Sequence, residues 1–159
     1  MNSRKKALRG LVLSAFVCIG IYSCTHVSGT YISQHGSREG SSMKDNCMDC
    51  HKNGATEGGF IVGGTVFKED KTTRNPNGNV YLFATPPNTT DGKDSIIATI
   101  EVDGVGNFYT THPIDLSNGV YPAVQSPAGD TIVRMQALTS NGACNSCHDG
   151  RTQDKIHVR

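Results

Sequence analysis

Apolar and polar residues alternate through the middle of the chain. Ile96, Ala98, Ile100 and Val102 interleave with Ile97, Thr99 and Glu101, the period-two signature of a strand with one buried face. Asp103-Gly104-Val105-Gly106 then predicts a turn, with the next strand beginning at Asn107. In that strand Phe108 and Thr110 share one face and Tyr109 takes the other. A second alternating run, Val80, Leu82 and Ala84, is closed by Pro86-Pro87. Phe60 to Phe67, Tyr121 to Val124 and Thr131 to Leu138 are further strand candidates. Six or so short strands in one central region predict a mainly β chain built on a small antiparallel sandwich.

Five pieces follow from this pattern: a leader at 1–23, a polar tether at 24–45, a short segment at 46–58, the β-sandwich at 59–139, and a second short segment with a polar tail at 140–159. A sandwich of this size holds a marginal core. Eighteen glycines and no tryptophan suit turns and short strands rather than long helices.

The segments that flank the sandwich carry the chemistry. Cys47-Met48-Asp49-Cys50-His51 and Cys144-Asn145-Ser146-Cys147-His148 are two copies of C-x-x-C-H, the attachment pattern of c-type haem. The two thiols form thioethers to the two vinyl groups of one ring, and the adjacent imidazole becomes the proximal ligand of its iron. The sequence has six cysteines. Cys18 falls in the leader and Cys24 at its end, so the other four all belong to the two motifs. The alternative is a zinc site built from those four thiolates, but zinc ribbons bring their pairs much closer in sequence than the 97 positions between Cys47 and Cys144. Two covalently bound haems are therefore expected, on Cys47, Cys50 and His51 and on Cys144, Cys147 and His148. Two large apolar macrocycles would add buried surface to the small core.

Arg4, Lys5, Lys6 and Arg9 precede an apolar run from Leu11 to Tyr22. This is the layout of a secretory signal, and the run is short for a membrane span. Ile21-Tyr22-Ser23-Cys24 resembles a bacterial lipobox, which implies lipid on Cys24; ordinary cleavage near Ser23 and an uncleaved anchor are the alternatives. Export fits haem attachment, which takes place outside the cytoplasmic membrane. Loss of the four basic leader residues takes the formal balance from +1 to −3, which with haem propionates argues against nucleic acid as a partner.

Gly64-Thr65-Val66, Asn79-Val80-Tyr81-Leu82 and Asp103 to Phe108 follow an order that resembles the prealbumin-like sandwich of carboxypeptidase regulatory-like domains. Over roughly residues 31–156 the chain also resembles small exported bacterial dihaem c-type cytochromes, through His35, Gly58-Gly59-Phe60, Gly64-Thr65-Val66, Asp103 to Thr110 and Cys144 to His148. That resemblance implies haem binding and one-electron transfer at the cell envelope, with redox partner proteins left unnamed.

The distal ligands are less constrained. For the first haem His35, twelve residues before Cys47, is the preferred candidate, and the resemblance supports it. For the second, Met135 and His157 compete. Met135 could instead be an inward-facing core residue beside Val133 and Ala137, and His157 could lie on a frayed terminus. His112 reads as a loop residue, Met48 sits between its cysteines, and His26 adjoins the proposed lipid anchor.

The expected function is an electron carrier anchored by lipid in the periplasm or on the outer membrane or cell surface, and haem stacking between copies would give it a route to self-association. A small haem peroxidase or reductase would need an exchangeable axial site with an acid or base above it. A surface-binding sandwich with secondary haems is a third reading, since sandwiches host many functions.

Overall fold

The structure is a computed structural model and describes residues 37, 46–52, 59–86 and 95–159. Cys18, Cys24, His26, His35 and Met43, with the leader and the tether apart from Ser37, lie outside the described residues.

Among the described residues the chain forms six antiparallel strands and very little helix. Strands β2 (Asn79–Phe83), β3 (Ile96–Glu101), β5 (Tyr121–Gln125) and β6 (Ile132–Arg134) make a four-stranded sheet in the order β3-β2-β5-β6. Strands β1 (Val62–Thr65) and β4 (Asn107–Thr110) make a two-stranded ribbon. One apolar cluster draws from both sheets: Val62 and Phe108 from the ribbon, Val80, Leu82, Ile100 and Val124 from the larger sheet. The mainly β expectation is met, and the alternation of β3 is the alternation observed, with Ile100 and the following Val102 buried while Ile97, Thr99 and Glu101 face out.

The turn between β3 and β4 falls where the sequence puts it. Gly106 closes it at φ +84°, a conformation that disfavours any side chain, and a Cβ there would meet Arg74 at 2.8 Å. Asp103 in this turn is buried, and its carboxylate accepts hydrogen bonds from the backbone N–H of Val105 and Asn107, both at 2.9 Å. It also accepts from the N–H and hydroxyl of Ser37.

Two expectations need correction. The strand expected over Thr131 to Leu138 is only three residues long, Ile132–Arg134, and sits at the edge of its sheet. Val133 is 45% exposed where it lines a cleft, and Ala137, beyond the strand, is exposed. Met135 itself is half-buried and stands outside the core cluster. The polar tail does not fray either. Phe67 N–H donates to Ile156 O (2.8 Å), Val158 N–H donates to Phe67 O (3.0 Å), and Val158 is buried in the core. Two apolar residues, Ile156 and Val158, at strand spacing in a polar stretch were the signal for this.

Candidate haem-binding site

The two C-x-x-C-H motifs, far apart in sequence, converge on β1. The first begins as a single 3₁₀ turn, Cys47–Asp49, capped by the Asn46 side chain, which accepts from Met48 N–H at 3.1 Å. The second opens as one helical turn, α1 (Cys144–Cys147), whose first backbone bond runs from His148 N–H to Cys144 O. Its lead-in pairs with the outer edge of β1, where Gly63 N–H donates to Gly142 O at 2.9 Å.

Why β1 is Val-Gly-Gly-Thr follows from what it must hold. Consecutive strand residues face opposite ways, and the register pairs Gly63 with Tyr109 and Gly64 with Phe108. On the Gly63 face a Cβ would lie 3.2 Å from the Phe60 ring and 3.5 Å from Cys47 Cβ. On the Gly64 face it would lie 2.6 Å from the Phe108 ring and 3.0 Å from Cys144 Cβ. Two glycines in succession thus let one motif approach each face of the same strand.

The faces differ in character. On the Gly63 side His51 stacks on Phe60 (centroids 4.1 Å apart, 4° between planes), and Phe60 stacks on Tyr109 at 4.4 Å. This aromatic column sets the orientation of the His51 ring. On the Gly64 side the space between the ribbon and the larger sheet widens into a cleft of about 230 Å³, lined mostly by apolar side chains. Leu82, Phe108 and Val124 form its inner part, and Cys144, Cys147 and His148 stand along one wall. Met135 and His157 also line it.

The backbone engages one nitrogen of the His148 ring. Its Nδ1 lies 2.6 Å from the carbonyl oxygen of Asp154. A carbonyl can only accept, so Nδ1 carries the proton and Nε2 presents a lone pair. This is the arrangement by which proteins fix the tautomer of a metal-ligating imidazole. His157 is anchored in the same manner, with Nδ1 2.8 Å from Lys155 O.

Burial favours the neutral thiol at Cys47 and Cys144. Burial, reinforced by the nearby Cys47, pushes the Cys144 thiol up to about 12, and burial also raises Cys47. Cys50 and Cys147 are exposed, and all four thiols are free. Among the described residues no three His, Cys, Asp or Glu side chains form a group that could hold a bare metal ion.

Asn145, inside the second motif, ties the two together and was not singled out from sequence. Its Oδ1 accepts from Thr65 N–H (3.1 Å), and its Nδ2 faces Thr65 Oγ1 (3.3 Å) and Cys47 Sγ (3.9 Å). Thr65 is buried. Asn145→Ala strands that buried N–H, which costs about 1–3 kcal/mol; urea unfolding of the purified variant should show the loss, and a change below about 0.5 kcal/mol would contradict the role.

Of the other candidates, His112 lies exposed beyond β4, and Met48 sits half-buried in the 3₁₀ turn. His35 lies outside the described residues, two positions from Ser37, which is held by Asp103 and by Asn107 Nδ2 at 2.8 Å. Comparison with known protein families, curated proteins and solved structures finds no match to this chain.

Proposed function

We propose that the protein is a dihaem c-type cytochrome that carries single electrons at the bacterial cell envelope. The observation that carries this reading is the second motif: Cys144, Cys147 and His148 stand on the wall of an apolar cleft between two sheets, with the His148 tautomer set to offer Nε2. The donor set fits the group. Cys144 and Cys147 would bond one ring and Cys47 and Cys50 the other, with His148 and His51 as proximal ligands. When bound, each haem supplies an iron that passes between ferrous and ferric states one electron at a time.

The chain's own residues do the rest. Leu82, Phe108 and Val124 exclude water from the second site, which limits the reorganisation that follows a change of charge. The Phe60–Tyr109 stack holds His51. Arg134 and Lys155 lie at the cleft, where their positive charge suits haem propionates. Because both motifs grip one strand, with Asn145 reaching from one to Cys47 of the other, the thioether edges of the two rings would be near neighbours. That proximity suits a short internal electron path. The resemblance to small exported dihaem cytochromes agrees with this reading, as do the leader and the lipobox, from which we propose export and a lipid anchor on Cys24. Redox partner proteins would then meet the carrier at the membrane surface, and haem stacking would support self-association.

The test is the full chain expressed in a host with haem-maturation machinery. Two covalent haems per chain by pyridine haemochrome, with low-spin spectra in oxidised and dithionite-reduced forms, are expected. Absence of covalent haem with stoichiometric zinc in its place would sink the reading, and a high-spin component would favour a peroxidase.

A further inference from the structure

We infer that Met135, and not His157, is the axial partner of His148 across the inter-sheet cleft. The inference rests on the haem reading above and assigns a ligand that the sequence leaves open between two residues.

Geometry separates the two candidates. His148 and His157 both belong to the wall formed by α1 and the C-terminal segment, and their Nδ1 atoms are bonded to the carbonyls of adjacent residues, Asp154 at 2.6 Å and Lys155 at 2.8 Å. Two imidazoles on opposite sides of one iron point their Nδ1 atoms away from each other. With metal–nitrogen bonds of about 2 Å and ordinary hydrogen bonds beyond them, the two accepting oxygens would stand roughly 10 Å or more apart. Carbonyls of adjacent residues cannot span that distance, because their Cα atoms are only about 3.8 Å apart. His157 could reach the far side of the ring only by releasing Lys155 O. Its backbone is also clamped on both sides, by Ile156 O to Phe67 N–H and by Val158 N–H to Phe67 O, with Val158 buried.

Met135 meets the opposite requirement. It follows β6 directly, on the wall built by β5 and β6, and its N–H is fixed to Pro122 O at 2.9 Å. The side chain is half-buried and lines the cleft. Pro122, Val124 and Val133 line the cleft on the same side. Three side-chain torsions let the Met135 thioether adapt to the ring once the haem is in place. His/Met ligation raises the potential relative to bis-His, so the second haem becomes a comparatively oxidising site, and His157 serves to brace the chain behind His148.

The experiment uses the haem-loaded full chain, its Met135→Ala, Met135→His and His157→Ala variants, haemochrome counts, and near-infrared magnetic circular dichroism of the oxidised proteins. Expected is a methionine–iron charge-transfer band in the parent and in His157→Ala, lost in both Met135 variants while each keeps two haems. Met135→His, which retains a coordinating side chain should Met135→Ala fold poorly, is expected to lower the potential of one haem and leave the other unchanged. A parent without the band, a band that survives in Met135→His, or a band lost in His157→Ala would overturn the assignment. A parent with fewer than two covalent haems would overturn the underlying haem reading instead.

Discussion

Phe108→Ala should destabilise the protein by about 3–5 kcal/mol, the range for removing a fully buried phenylalanine. Phe108 is 2% exposed, belongs to the core shared by the two sheets, and forms part of the cleft beside Cys144. In urea the midpoint should fall by more than about 1 M. A second variant ties this loss to the site. Gly64→Ala sets a methyl 2.6 Å from the Phe108 ring, an overpacking worth about 1–3 kcal/mol. In the Phe108→Ala background that methyl enters the space the ring has left, so the double variant should be more stable than the sum of the two single losses. Strict additivity would mean that the ring and Gly64 do not meet as described.

Asp103→Ala should cost on the order of 3 kcal/mol or more. The carboxylate is 2% exposed and accepts from two buried backbone donors, Val105 N–H and Asn107 N–H, and from the N–H and hydroxyl of Ser37. Each buried donor left without an acceptor costs about 1–3 kcal/mol. Asp103→Asn keeps one acceptor oxygen but turns an NH₂ towards other donors, so it should fall between the parent and Asp103→Ala. Ser37→Ala, which removes only the hydroxyl, should cost less than either. Thermal or urea unfolding of the three variants gives the order directly, and an Asp103→Ala variant within about 0.5 kcal/mol of the parent would show that the turn does not depend on this carboxylate.

Where local chemistry governs structure, the sequence was informative. The alternation over 96–102 predicts β3 because a strand with one wet face must alternate. Asp103 to Gly106 predicts the turn because glycine tolerates the φ that closes it. The same reasoning stopped at that turn: Asp-Gly reads as a turn whether or not the aspartate is buried, and its bonds to Ser37 join residues 66 positions apart. The stretch from Thr131 to Leu138 has strand composition along its length, yet only three residues pair in register with β5, and the chain leaves the ladder after Met135 to rejoin it at the Val120–Thr139 bridge. The tail reads as polar, yet Val158 is buried through a partner, Phe67, that no local pattern names.

The chemistry of the candidate site divides along the same line. Two C-x-x-C-H motifs are covalent facts of the chain, since the spacing of two thiols and an imidazole is set within five residues and needs no tertiary structure to be recognised. Which motif lies against which face of β1, that Asn145 reaches from one motif to Cys47 of the other, and that His148 and His157 lean on adjacent carbonyls while Met135 stands on the other wall depend on packing between distant segments. Such contacts arise from burial and hydrogen bonding shared among strands far apart in sequence, and no window along the chain encodes them singly.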